Sequence, residues 1–111
     1  MSDINTVKRN KNNLIQDLEK FDNSVNKCIT NYKNIIEDNN DVAKNINSDD
    51  IGLFLYDYLN ITIKNLNGKI SSFNEKLNGI KSSVDDMAST KISQFNYEIS
   101  KLEKEEANQN N

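Results

Sequence analysis

Proline is absent from this 111-residue sequence, and glycine occurs only at positions 52, 68 and 79. Proline is the strongest helix breaker and glycine the next, so long helices can run almost anywhere along the chain. Histidine and tryptophan are absent too. Without histidine the chain lacks the usual general base and the commonest metal ligand. The single cysteine, Cys28, excludes an internal disulfide. Apolar residues make up only 35% of the sequence, against about 45–50% in an ordinary globular domain. Such a chain fills a narrow seam between helices, not a thick core. No stretch approaches the ~20 apolar residues that span a bilayer. The first 13 residues are mostly polar, unlike a signal peptide. The expectation is a chain made in the cytoplasm, whose only way out of the cell is one without a cleaved signal.

Net charge is −3 and the pI is near 4.9. Nucleic acid calls for a basic stripe, so it is not an expected partner. All but one of the basic residues are Lys, Arg9 being the exception, and Asn is the commonest residue. Asn is a mediocre helix former, so packing rather than propensity must hold any helix here.

Packing is what the pattern offers. Positions 4, 7, 11, 14, 18, 21, 25, 28, 32, 35, 39, 42 and 46 alternate steps of three and four, and eleven of these thirteen are apolar or aromatic. This heptad seam predicts a first helix over about 4–46, roughly 60 Å long. Cys28 falls on it and reads as a small buried hydrophobe. Residues 47–52 are the strongest turn signal, with Asp50 and Gly52 at its end. Three-four steps resume at Leu59, Ile63, Leu66, Ile70, Phe73, Leu77, Ile80, Val84 and Met87. They then slip by one to Ala88, Ile92, Phe95, Ile99 and Leu102. A second helix over about 53–104 is expected, continuous through residues 82–90, followed by a frayed or disordered tail at 105–111. Two long helices on a short turn run antiparallel. The expected fold is therefore all-α: a single helical hairpin over 1–104 with a heptad-like seam, completing a four-helix bundle with a partner.

Catalytic and metal signatures are missing. Asp49-Asp50 and Asp85-Asp86 pair carboxylates without EF-hand spacing, so capping and solvation account for them better than a metal. The isolated glycines form no phosphate loop. Neither catalytic residue nor cofactor is expected.

Surplus hydrophobicity marks the candidate site. From Ile51 to Ile63, nine of thirteen residues are apolar or aromatic, more than one seam of a two-helix hairpin uses. Ile51, Leu53, Phe54, Leu55, Tyr56 and Tyr58 are therefore candidate partner contacts. Ile15, Ile29 and Ile36 lie beside the first seam and supply either a second stripe or a wider seam. The partner is another protein or a second copy, as in a homodimer.

A chain of this size, all helical, with a central turn and mirrored arms resembles the small helical-hairpin proteins of type VII secretion, the WXG100-like superfamily. It is nearest to the accessory proteins of Gram-positive bacteria that pair with larger LXG toxins. In that family a Trp-x-Gly marks the turn. Here Asp50-Ile51-Gly52 keeps the Gly and lacks the Trp, with Phe54, Tyr56 and Tyr58 following. The family's C-terminal Tyr-x-x-x-Asp/Glu export signal is absent, since Lys101 stands four residues after Tyr97. The resemblance implies a non-enzymatic, chaperone-like targeting factor that covers the helices of a larger secreted protein. The residues leave two alternatives open: a self-assembling structural coiled coil, and an immunity or antitoxin-like binder.

Overall fold

The computed structural model describes residues 3–109. Its elements are α1 (Ile4–Asn45), α2 (Ser48–Ile51) and α3 (Leu53–Gln109), and no strand occurs among the described residues. The fold class is all-α.

Local chemistry explains the ends. The Asp3 carbonyl accepts the Val7 amide at 3.1 Å and opens α1. Asn47 caps α2: its backbone is extended, and its side chain accepts the Asp49 amide at 3.1 Å. Asp49 and Asp50 occupy the first turn, where negative charge suits the helix dipole. Gly52 closes α2 by donating its N–H to the Ser48 carbonyl at 2.8 Å, and its own carbonyl receives the Tyr56 amide that starts α3. It sits at φ 85°, ψ 155°, a region essentially reserved for glycine. Residues 47–52 are thus one helical turn between a cap and a glycine hinge.

Once begun, α3 runs for 57 residues, unbroken through 82–90. Within this stretch the Thr90 hydroxyl donates back to the Asp86 carbonyl of the same helix at 3.1 Å. The tail expected to fray from 105 is helical through Gln109. No breaker stops it, Glu and Ala there favour helix, and Lys101 and Glu105 stand at i,i+4. Asn110 and Asn111 lie outside the described residues.

The chain divides into two compact units: Met1–Ser24 with Ile80–Asn111, and Val25–Gly79. In the first, α1 packs on α3 through Val7, Leu14, Leu18, Phe21, Val84, Ala88, Ile92 and Phe95, with Val7 and Ala88 buried. Lys8 pairs with Glu103 at 3.9 Å, and the Asp22 carboxyl faces that of Asp85. Rising numbers on α1 meet falling numbers on α3, so the helices run antiparallel.

The second unit is antiparallel as well. Ile29 meets Asn74, the Tyr32 ring stands edge-on to Phe73 with centroids 5.2 Å apart, and Asn39 bonds Asn67. Here the inward row is not the expected one. It passes through Val25, Ile29, Tyr32, Ile36, Asn39 and Ala43, while Cys28, Ile35 and Val42 face outward. An α-helix turns every 3.6 residues, so a strict 3.5-residue seam drifts by about 20° per heptad. After three heptads the drift hands the seam to the next residue, by two successive steps of four from Phe21 to Val25 to Ile29. The same shift acts on α3. Leu66, Phe73, Ile80 and Met87 are exposed, and Asn67, Asn74, Lys81 and Ala88 take the inward places.

Candidate interaction surface

Two apolar surfaces of the Val25–Gly79 unit are left open. One is a crown just after the turn. Leu53, Phe54, Leu55 and Tyr58 are exposed, Phe54 at 79%, and Ile61 extends the group. Gly52 starts α3 immediately after α2, so these side chains emerge from the first turns of α3, close to the end of α1. Ile51 and Tyr56, named with them from the sequence, are half-buried, and Asp50 and Gly52 are exposed at the turn.

The remaining sequence candidates separate. Ile29 is buried and Ile36 half-buried: both belong to the packing between α1 and α3, which leaves no second stripe through them. Ile15 is exposed at 41% in the other unit. Cys28 is a free, exposed thiol, a correction to the buried hydrophobe expected on the seam.

A second surface escaped the apolar pattern. Cys28, Ile35 and Val42 each precede an inward residue of α1 by one, as Leu66 and Phe73 do on α3. In an antiparallel pair such rows lie on the same flank. The Tyr32–Phe73 edge contact lies on that flank. Ile35, Val42, Leu66 and Phe73 are exposed by 41%, 47%, 46% and 45%. A signal for it was present: Asn60, Asn67 and Asn74 recur every seven residues, marking the polar row that turns inward and so displaces Leu66 and Phe73.

Asn67 and Asn74 bond across to α1, whereas Asn60 donates to the Tyr56 carbonyl of its own helix. Asn39 Nδ2 donates to Asn67 Oδ1, and Asn67 Nδ2 donates to Asn40 Oδ1, both at 3.0 Å. Asn74 is buried, donates to the Ile29 carbonyl over 3.5 Å, and leaves its Oδ1 without a donor. Polar residues at inward positions weaken a seam but fix its register.

The Met1–Ser24 with Ile80–Asn111 unit holds one electrostatic oddity. Asp22 on α1 faces Asp85 on α3, and each has an Oδ1 occluded from solvent without a donor. Lys81 Nζ lies 3.4 Å from the other Asp85 oxygen. Desolvation holds the Asp22 carboxyl above its usual 3.8; the neighbouring Asp85 carboxyl pushes the same way, and Lys81 opposes them. A proton on Asp22 would supply the missing donor between the two carboxyls.

No helix among the described residues is long and apolar enough to cross a membrane. No protein family, curated protein or solved structure matches this chain.

Proposed function

We propose that this chain is a non-enzymatic interaction protein that binds the helices of a protein partner through the crown of Leu53, Phe54, Leu55 and Tyr58. One observation carries the reading. Four large apolar side chains stand exposed together on the opening turns of α3, where a self-sufficient hairpin would carry polar residues. Aromatic residues on a rigid helix are the usual anchors of a protein interface. A helix laid across them would extend the bundle with the same ridge-and-groove packing that joins α1 to α3.

The partner class follows from the resemblance to the type VII secretion hairpins. In this reading the chain escorts a larger, secreted protein with a helical N-terminal region and presents a joint surface to the export machinery. The turn glycine, the central position of the turn and the aromatic residues after it support it.

Affinity purification from the natural host, with cells and medium handled separately, tests this. The wild-type chain is expected to bring down a larger helical protein in stoichiometric amount. Changing Phe54 and Tyr58 to Asp is expected to abolish the complex while circular dichroism stays helical. Undiminished capture by that variant would overturn the crown as the binding surface. Appearance of the complex in the medium would add export.

A further inference from the structure

The flank of the Val25–Gly79 unit is distinct from the crown, and its edges carry opposite charges. Three residues beyond the row of Cys28, Ile35 and Val42 lie Asn31, Asp38 and Asn45. The equivalent edge of α3, beyond Leu66 and Phe73, carries Lys69 and Lys76. Asp38 and Lys69 are exposed, and neither makes an ion pair among the described residues. They also share a level. Asn39 bonds Asn67 across the pair, which puts Asp38 within about two residues of Lys69, or ~3 Å along the helix axis.

An apolar strip with one acidic and one basic edge at the same level is complementary to itself. We propose that this flank is the seat of a second copy of the chain, related by a two-fold axis parallel to the helices, so that α1 of each copy lies on α3 of the other. Ile35, Val42, Leu66 and Phe73 then form the apolar centre. Asp38 of each copy faces Lys69 of the other, giving two equivalent ion pairs at the rim.

Charge also selects among the symmetric arrangements. A two-fold axis across the helices would lay α1 on α1, placing the acidic edge that carries Asp38 against its own copy. It would likewise lay Lys69 and Lys76 against their own copies. Like charges in register oppose that arrangement, and the parallel axis replaces each clash with an opposite pair. With the parallel axis both turns lie at the same end of the assembly. The two crowns then stand side by side as one bivalent surface.

The inference does not depend on the crown's partner, and its test uses the full chain alone. Sedimentation equilibrium is expected to show a dimer of the 12.7 kDa chain at micromolar concentration. Phe73→Asp is expected to weaken it at least a hundred-fold. Asp38→Lys and Lys69→Asp are each expected to weaken it about ten-fold, as like charges replace two rim pairs. The double variant, with both charges exchanged, is expected to recover wild-type association. Because Asp38 and Lys69 are exposed, these exchanges test the interface even where Phe73→Asp compromises folding. Changing Phe54 alone to Asp is expected to leave the dimer intact, which separates this proposal from the crown. A wild-type chain that stays monomeric would overturn it. So would a dimer indifferent to Asp38→Lys and Lys69→Asp, or a double variant no better than the single ones.

Discussion

Individual residues reveal where the fold gives up stability. Asp22 and Asp85 place two carboxyls against each other across α1 and α3. Because the folded state raises the Asp22 value above 3.8, it holds that proton more tightly than the unfolded chain does. Folding therefore gains stability as pH falls through the raised value, keeps the full gain below the unfolded value, and loses it as pH rises. Asp22→Asn supplies a permanent N–H donor toward Asp85. Urea melts at neutral pH are expected to move to higher midpoint, with little change at about pH 3; equal shifts at both would mean that proton sharing is not the cause. Asn74 is the second such residue. Its buried Oδ1 lacks a donor, so Asn74→Leu is expected to add about 1–3 kcal/mol in denaturant melts. A loss of stability there would show that the Asn74–Ile29 bond outweighs the unsatisfied oxygen. An apolar pattern assigns neither residue an inward place, because it gives those places to apolar side chains only.

Elements were far more legible. The absence of proline, the three-four spacing and the 47–52 turn were enough to anticipate two long helices, and α1, α3 and the Gly52 hinge lie where that spacing put them. What the spacing could not settle was the row facing inward. Adjacent apolar pairs, Cys28-Ile29 and Ile35-Ile36, satisfy either choice, and only the accumulated drift of a 3.6-residue helix decides between them. Ile29 and Ile36 thus moved into the packing, and Cys28, Ile35, Leu66 and Phe73 moved out. At the turn the physical demand is sharper. A Cβ at Gly52 would meet no neighbouring atom, so space is not the obstacle; the backbone at φ 85° is. Gly52→Ala is expected to cost about 1–3 kcal/mol, as a lower denaturant midpoint with an unchanged slope. A cost near zero would mean that the link between α2 and α3 relaxes to another conformation.

At the scale of the whole molecule the governing fact is how little is buried. Val7, Val25, Ile29 and Ala88 are the buried hydrophobic residues among those described, and no large side chain is fully enclosed. Stability of a folded domain is a small surplus over a large entropy cost, and so thin a core leaves little of it to a chain on its own. The apolar groups that could supply the rest, Ile35, Val42, Leu66 and Phe73, stand on one flank of the Val25–Gly79 unit with a charge of each sign at its edges. If a second copy covers that flank, folding and association are one equilibrium, and thermal stability must follow concentration by mass action. For a dimer of this size, a tenfold increase in concentration is expected to raise the melting temperature by about 3 °C. Phe73→Asp is expected to melt lower and to lose that dependence, whereas the doubly exchanged Asp38→Lys, Lys69→Asp chain is expected to keep it. A melting temperature independent of concentration in the wild type would mean that the hairpin stands alone. Its few buried side chains and the asparagine bonds between α1 and α3 would then suffice to hold it.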